Sequence, residues 1–333
     1  MHKRTRTTVL IVAVILLLLA GAVYLRKKAP PEAARLLPES DGIVFVNLKP
    51  IRAATHFDRQ QINHDADYQK FIDATGIEFE RDLDEAAFAL HRMTPATGPN
   101  GAVGFSTVFV GRFDGKRLSN YLAGASTSTE DYEGHTIYSI PVEDRTDRVT
   151  MLGYDVVAVS NMPTTEQIHS ILDRYRSAAL PFSGSSLLSE HYSEIPLLSL
   201  AWGIGKIGLP LTGGQNGAGA TGSEAGMKVL GMTLPVPPSA TYIASIRWAG
   251  SLHLRVEEIA PDEPTATSSA DSLNALVGIF KAGQSGDGDV KSLVDSIAIQ
   301  HRKDRVILTS TVPPALLQKL TQAPQSTGQT PIP

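Results

Sequence analysis

Alternating apolar and polar residues predict the clearest strand pair in this chain. Apolar or aromatic side chains occupy every second position from Tyr242 to Trp248, Ala249-Gly250 follows, and the alternation resumes from Leu252 to Val256. A strand points successive side chains to opposite faces, so a period of two is typical of a sheet with one buried face. The pattern predicts an antiparallel hairpin that turns at Ala249-Gly250.

Further runs rich in apolar and β-branched residues predict strands along most of the chain. Gly98 to Gly101 has the composition of a turn, so the two runs beside it are predicted to form a hairpin. The predicted strands are Ile43 to Leu48, Ala86 to His91, Val103 to Arg112, His135 to Ile140, Val149 to Leu152, Asp155 to Ser160, Ser199 to Ile204, Ser296 to His301 and Arg305 to Thr311.

Helices are predicted where apolar residues recur every three or four positions. Leu273, Leu276, Val277 and Phe280 follow this spacing behind a Ser268-x-x-Asp271 cap, and Gly283 ends the segment. Shorter helices are predicted at Tyr68 to Ala74 before Gly76, at Arg117 to Leu122, from a Thr164-x-x-Gln167 capping box to Arg176, from Ser185-Ser186, and from Pro313 through Leu316, Leu317 and Leu320.

The two halves of the chain share a local pattern. Val156 to Pro163 and Val306 to Pro313 are both strand-like runs that lead into a helix, about 150 residues apart. Ser199 to Ile204 is then the counterpart of Ile43 to Leu48. We predict an α+β fold of two tandem, duplicated lobes of antiparallel sheet covered by helices, although a strand followed by proline and a helix is also common without duplication.

The first apolar run, Thr7 to Leu25, carries no charge and has three cationic residues within each flank. As a helix it is about 28 Å long, close to the thickness of the hydrocarbon core of a bilayer. We predict one N-terminal transmembrane helix. A secretory signal peptide cleaved after Ala20-Gly21-Ala22 is the alternative. The apolar run continues past that point, and cleavage would leave Arg26 to Lys28 at the new terminus, so an uncleaved anchor is favoured.

Composition excludes several classes of protein. The 333 residues are 42% hydrophobic, carry a net charge of −4 and include no cysteine, which excludes disulfides and cysteine-based zinc sites. Lysine and arginine form no cluster outside the flanks of the anchor, so a nucleic-acid partner is not expected. The lipid bilayer is the partner that the sequence predicts.

Two glycine patterns invite a nucleotide-binding interpretation. Gly203 to Gly208 follows a predicted strand, but Pro210 comes soon afterwards and no amphipathic helix begins there to bind a pyrophosphate. Gly217 to Gly222 lies within a glycine-rich stretch from Gly213 to Gly226 that is typical of a loop. We therefore predict no nucleotide and no other cofactor.

Candidate metal ligands and catalytic groups are few. His56, Asp58, His64, Asp65 and Asp67 are close in sequence but fit neither a helical ligand face nor a calcium loop, and Asp287-Gly288-Asp289 lacks the distal glutamate. Solvated turns are favoured at both places.

The chain has no G-x-S-x-G. Glu130, Asp131, Glu133 and His135 could supply acid–base chemistry, although a solvated loop is favoured, and His253 and His301 are interpreted as polar hairpin residues. No catalytic or metal-binding residue is predicted.

Leu37 to Leu48, Tyr132 to Tyr138 and Tyr154 to Asn161 carry a resemblance to a known class of proteins. With these segments the chain resembles uncharacterised bacterial envelope proteins that have one N-terminal anchor and an exported α+β ectodomain. The resemblance implies no catalytic residues. It does imply that the bulk of the chain lies outside the cytoplasm, which agrees with the tendency of long folded regions to cross a membrane regardless of charge.

These observations predict the following organisation on a bacterial cytoplasmic (inner) membrane. Residues 1–6 form a cytoplasmic tail, 7–25 the anchor, 26–37 a linker, 38–195 and 196–321 two α+β lobes on the periplasmic or extracellular side, and 322–333 a disordered tail. The expected function is a binding or scaffolding module with envelope proteins among its partners. The alternatives are an exported hydrolase with an interlobe site near His135, and a carrier of an apolar ligand.

Overall fold

The computed structural model describes residues 29–59, 64–94, 101–177, 184–206, 226–229, 232–235, 237, 239–283 and 288–316. These residues divide into two compact units, with the boundary between Leu197 and Leu198. Antiparallel strands and helices make up both units, which confirms the predicted α+β class.

The described residues of the first unit contain seven strands. Along the sheet they are ordered β1-β2-β3-β7-β6-β5-β4, and every neighbouring pair is antiparallel. The elements in chain order are α1 (Glu32–Arg35), β1 (Gly42–Asn47), α2 (Leu48–Thr55), a 3-10 turn (Phe57–Arg59), α3 (Ala66–Thr75), α4 (Phe79–Asp82), β2 (Leu83–Arg92), β3 (Val103–Gly111), α5 (Gly115–Ala125), β4 (Ser128–Tyr132), β5 (His135–Val142), β6 (Arg145–Met151), β7 (Val156–Ser160), α6 (Glu166–Arg176), α7 (Ser186–His191) and a second 3-10 turn (Tyr192–Glu194).

One face of the first unit's sheet is buried at its centre, on strands β1, β2, β3 and β7. The register aligns Phe45 with Ala87, Ala87 with Val108 and Val108 with Ala158, and none of these residues is more than 2% exposed. Helix α1 contacts the first three strands, α6 contacts β7, and α7 contacts β1. The buried residues that these helices contribute are Ala33, Ala34, Ile168, Ile171, Leu172 and Leu188. Burial of both sets indicates a core between the helices and this face.

A second cluster lies on the opposite face, where α5 packs. Leu118 and Leu122 of α5 contact Val149 and Val157 of the sheet. Ile77 joins them from the segment after α3, together with partly buried aromatic side chains from α3 and α5. This cluster and the first core cover both faces of strands β6 and β7.

The second unit has strand order β8-β11-β12-β14-β13, again antiparallel throughout. Helix α8 packs on β13 and β14 through Ala266, Ala270 and Val306. The elements are β8 (Ser199–Lys206), β9 (Gly226–Val229), β10 (Met232–Pro235), β11 (Thr241–Trp248), β12 (Leu252–Ile259), α8 (Glu263–Gly283), α9 (Gly288–Asp295), β13 (Ala298–Arg302) and β14 (Arg305–Val312), with β9 and β10 paired in a two-stranded sheet.

Every predicted strand is present, and the strands of each predicted hairpin pair with one another, including those at Ser296 to His301 and Arg305 to Thr311. The predicted helix ends are less accurate. Thr164 is not a cap, because α6 begins at Glu166 behind Thr165, which makes no side-chain capping bond. Ser268 lies inside α8, whose first turn is instead capped by the Asp262 carboxylate accepting the Thr265 N–H at 2.8 Å.

Three segments predicted to be irregular are regular. The predicted linker 26–37 contains α1, and Leu36 and Leu37 after it are almost fully buried, so the core begins earlier than expected. Glu130 and Asp131, interpreted as a solvated loop, lie in β4. Gly288 and Asp289, interpreted as part of a turn, begin α9.

Several predictions fall outside the described residues. These are the tail and anchor at 1–25, the glycine pattern at 217–222, Leu317 and Leu320 of the terminal helix, and the tail at 322–333. Within the described ranges, no helix has both the length and the apolar content needed to cross a bilayer.

Glu85 in β2 predicts a pH dependence of stability. Burial, and then the charges of Glu32 and Asp84, raise the pKa of this carboxyl above its ordinary value of 4.5. A raised native pKa favours the protonated form, so the contribution to stability is complete below about pH 4.5 and is lost as the pH rises through the native pKa. We expect Glu85→Gln to raise the urea midpoint at pH 7.5 and leave it unchanged at pH 4. The exposed Glu190→Gln is the control, and equal shifts at both pH values would contradict the prediction.

Candidate functional site

An open cleft of about 480 Å³ lies in the first unit, where α2 and the following 3-10 turn meet the ends of β2 and β3. Four of its lining side chains are cationic, two are carboxylates, and one is a histidine. The lining residues are Lys49, Arg52, Ala53, His56, Asp58, Arg59, Asp84 and Arg112. With the histidine neutral, the cleft has a surplus of two positive charges in a chain whose net charge is −4.

Helix α2 brings Lys49, Arg52 and His56 to the same side. Their spacing of three and then four residues places them on one helical face. Pro50 falls in the first turn, where a missing N–H is tolerated. His56 has φ 52°, and its N–H donates to the Arg52 carbonyl at 2.8 Å, which ends the helix at the cleft.

Arg52 is the fixed cation of the cleft. Its guanidinium donates to the carbonyl of Leu83 at 2.7 Å, more weakly to that of Glu80 at 3.4 Å, and forms an ion pair with Asp84. The Arg52 side chain is only 13% exposed. Because its hydrogen bonds are used within the protein, Arg52 mainly holds Asp84 and the end of β2 in place.

The charged groups of Lys49 and Arg112 are less engaged within the protein than that of Arg52. The Lys49 Nζ lies 4.0 Å from the Asp84 carboxylate, and its side chain is 74% exposed. Arg112 donates to the Arg81 carbonyl at 2.5 Å, lies 3.5 Å from Asp82, and is 65% exposed. Because these two cations are exposed and only weakly engaged within the protein, they are accessible to a charged ligand, and charge-assisted hydrogen bonds to that ligand can offset the hydration they lose.

Asp82 keeps a negative charge beside this group of arginines. Burial alone would raise the pKa of Asp82, but hydrogen bonds from Arg81 and the Glu78 N–H, with the charge of Arg112, lower it below the ordinary value. Asp82 therefore fixes Arg81 at 2.6 Å while Arg112 stays exposed at the rim of the cleft.

The 3-10 turn adds Asp58 and Arg59. Arg59 is exposed, and across the described ranges its guanidinium has neither an ion pair nor a hydrogen bond. The Oδ1 atom of Asp58 is buried without a hydrogen-bond partner among the described residues. The exposed cations at the cleft thus come from three separate segments, and their charge is chemically suited to contact with an anion.

Most residues weighed as metal ligands are used in local structure. His56 and Asp58 do line the cleft, but Asp65 caps α3 through the N–H groups of Asp67 and Tyr68. Asp67 pairs with Lys70 at 2.8 Å, and His64 lies 3.4 Å from Glu80. In the part of the chain that the structure describes, no three such side chains gather into a metal site.

The acid–base candidates do not converge on His135. Its Nδ1 atom lies 2.9 Å from the Met151 carbonyl. Glu130 instead pairs with His169 of α6 at 2.8 Å, and Tyr132 stacks on the same histidine ring at 3.8 Å. Asp131 accepts the Thr136 hydroxyl at 2.9 Å. These contacts join β4 to its neighbours, so the charged cluster stabilises an edge strand.

A buried polar chain in the first unit was not predicted. His91 Nε2 lies 3.2 Å from Ser106 Oγ, which lies 3.0 Å from Ser160 Oγ. Burial is the main reason that the pKa of His91 falls below its usual value, so the ring is neutral near pH 7. A serine beside a neutral histidine is the start of a nucleophilic site, but both serines are completely buried and none of the three lines the cleft. The hydrogen bonds among these three side chains therefore serve to satisfy their own buried polar atoms.

The second unit contains a different surface. Three apolar pairs, Ala244 with Val256, Ile246 with Leu254 and Trp248 with Leu252, lie on one face of the β11–β12 hairpin. Trp248 is 49% exposed and Val256 is 39% exposed. His253 and His301 contact a hydroxyl at 3.3 Å and a carbonyl at 2.7 Å, respectively, and are structural.

No protein-family model and no curated protein matches the sequence. Solved structures with a partial similarity include three crystal forms of a protein named TP0453. Form III is 12% identical with a TM-score of 0.43 and covers 89% of this chain and 99% of that chain. Form I is 11% identical at 0.42, covering 85% and 93%, and form IV is 11% identical at 0.42, covering 89% and 99%. Similarity at this level establishes neither a shared fold nor a shared function.

Proposed function

We propose that this protein is a membrane-anchored, extracytoplasmic binding module of the bacterial envelope, and that its first unit binds an anionic ligand in the cleft between α2, β2 and β3. The observation that carries the proposal is the charge of the cleft lining, where four cationic side chains face two carboxylates. Clusters of arginine and lysine at open sites are a general means of binding anions.

The uncharged run from Thr7 to Leu25 supports the anchored placement. The α1 helix begins at Glu32, so only a few residues separate the core of the first unit from this run. Fractionation of cells that express the full chain tests the placement: it should be recovered in the membrane fraction and be degraded by protease added to spheroplasts. Recovery of the intact chain from the cytosol would contradict it.

Anion binding is tested with the full chain in neutral nanodiscs, using pyrophosphate as the probe in calorimetry. We expect Lys49→Glu with Arg59→Glu to weaken binding about tenfold or more, which corresponds to about 1.4 kcal/mol. Lys281→Glu with Lys291→Glu makes the same change in net charge in the second unit, on exposed helix positions. The control should bind like the unmodified chain. Equal affinities of both double variants would refute the cleft as the anion site.

The hydrolase alternative receives less support from the first unit. His135 is engaged with the Met151 carbonyl, and the carboxylates near it in sequence pair with α6 or with a neighbouring hydroxyl. A general base has to reach a substrate proton within hydrogen-bond distance. We therefore favour a binding function over catalysis.

Carriage of an apolar ligand is a second candidate, supported by the half-exposed apolar pairs of the β11–β12 hairpin. Burying Trp248 and Val256 under an acyl chain would remove apolar surface from water, which is worth about 25 cal/mol per Å². Lauric acid should then shift the fluorescence of the unmodified chain to shorter wavelength but leave Trp248→Phe unchanged, because Trp202 is already buried. No shift in either protein would eliminate this candidate.

Internal duplication remains part of the proposal, and the strand orders support it. In the first unit β1-β2-β3-β7-β6 are neighbours in that order, and in the second unit β8-β11-β12-β14-β13 follow the same scheme. A helix follows the third strand in both, α5 after β3 and α8 after β12. The strands β4 and β5 are then an addition to the first copy.

A further inference from the structure

We infer that the ligand of the cleft is a phosphomonoester carried by a polar body, such as a phosphorylated polyol or sugar. This inference rests on the proposed anion-binding function and adds the class of anion. The lining side chains leave a surplus of two positive charges. A phosphomonoester carries about −1.5 to −2 at pH 7, because its second pKa is about 6. A monocarboxylate or phosphodiester, each with one negative charge, neutralises only half of the surplus.

The state of each cation indicates which of them contacts the phosphate. Arg52 already donates to Asp84 and to two carbonyl groups, so it has little capacity for a ligand. Lys49, Arg59 and Arg112 are exposed and come from different segments around the opening. A monoester offers three terminal oxygens, enough for three separate donors, whereas a diester offers two.

The size and composition of the cleft indicate what carries the phosphate. A volume of about 480 Å³ falls within the range of sites that hold a whole small molecule. Ala53 is the one apolar residue in the lining, so an acyl chain would gain little by entering. The body that enters with the phosphate is therefore polar. A soluble sugar phosphate and the phosphorylated headgroup of a lipid share this chemistry.

The decisive measurement compares glycerol 3-phosphate with glycerophosphoglycerol, a diester with the same polyol chemistry. Both are titrated into the full chain in phosphatidylcholine nanodiscs at pH 7.5. We expect the monoester to bind about tenfold more tightly. If pyrophosphate and both esters fail to bind, the proposed anion site itself is wrong. If the two esters bind equally well, the anion site stands and the preference for a monoester is overturned.

Neutral variants separate charge matching from a structural effect. Lys49→Gln lowers the surplus from two charges to one, and is expected to remove most of the preference for the monoester while changing diester affinity less than threefold. Lys291→Gln, an exposed position on α9, should leave both affinities unchanged. Equal losses for both esters in Lys49→Gln would contradict a role in charge matching.

The source of the phosphate is distinguished by the lipid of the nanodisc. Phosphatidic acid carries a monoester headgroup, and phosphatidylglycerol carries a diester. Weaker binding of soluble glycerol 3-phosphate in phosphatidic acid discs than in phosphatidylglycerol discs supports a lipid-borne monoester. Equal binding in both supports a soluble one. If glycerol 3-phosphate binds Lys49→Gln as tightly as it binds the unmodified chain in discs of the same lipid, the lipid-borne and the soluble monoester are both contradicted as ligands of this cleft.

Discussion

Replacing Phe45 by alanine is expected to lower the free energy of unfolding of the first unit by about 3–5 kcal/mol. Phe45 is 2% exposed and lies on β1, which α1 and α7 both contact. Its partner across the strand pair is Ala87, and Ala89 follows on the same face. Such small neighbours cannot extend into the space that the ring leaves, so the variant retains most of the cavity.

Urea denaturation followed by far-UV circular dichroism measures this loss, and amide exchange along β1 and β2 localises it. Tyr154→Ala is the matched control, because Tyr154 is an aromatic residue of the same unit that is 95% exposed. Its effect should stay within about 0.5 kcal/mol. A similar loss in both variants would show that Phe45 is not part of a close-packed core.

The strands of the main core could be predicted because the sequence alone specifies their burial. β1 is a continuous apolar run, and such a run is stable only when both faces are covered. The β11–β12 hairpin follows a strict alternation around a short turn, which determines its register. Its burial is the reverse of what the alternation indicates, because Trp248 and Val256 on the apolar face are 49% and 39% exposed, whereas Ser245 and Glu257 on the other face are buried. Local pattern and tertiary environment therefore agree at β1 and disagree on the buried face of this hairpin.

Other elements depend on tertiary contacts that a local sequence pattern does not predict. Helix α1 has four residues and follows two prolines, and it is stabilised because Ala33, Ala34 and the adjoining leucines are buried against the sheet. β4 consists of polar and charged residues, and it is held by pairing with β5 and by the contacts of Glu130 and Tyr132 with His169. Because β4 is rich in charged and polar residues, its sequence alone favoured a solvated loop.

The candidate cleft could be predicted only in part. His56 and Asp58 were singled out for another kind of site, and Lys49, Arg52 and His56 carry a helical spacing that would have placed them together. The sequence did not predict that helix, because Pro50 is unfavourable within a helix. Helix α2 also buries no residue, so it has no buried apolar face for a sequence pattern to indicate. Asp84 and Arg112 reach the cleft through the pairing of β2 with β3, and sequence spacing does not encode that register.

Glu257→Ala is expected to destabilise the second unit by about 2–3 kcal/mol, the second largest effect that the structure predicts. The Glu257 carboxylate is 4% exposed and accepts hydrogen bonds from Arg255 at 2.7 Å and Arg305 at 2.8 Å. Removing it leaves two arginines without their shared partner. Both are about one-third exposed and regain some hydration, which keeps the expected loss below that of a fully buried pair.

The cost should arise from the two arginines that lose the shared carboxylate and not from the lost carboxylate itself, and a triple variant separates the two contributions. Combining Glu257→Leu with Arg255→Met and Arg305→Met removes all three charges, and it should recover most of the stability that Glu257→Ala loses in urea denaturation. Asp271→Ala, an exposed acid on α8, controls for the change in net charge. If the triple variant is as unstable as Glu257→Ala, the carboxylate contributes through its own bonds, and the ion pairs add net stability to this sheet.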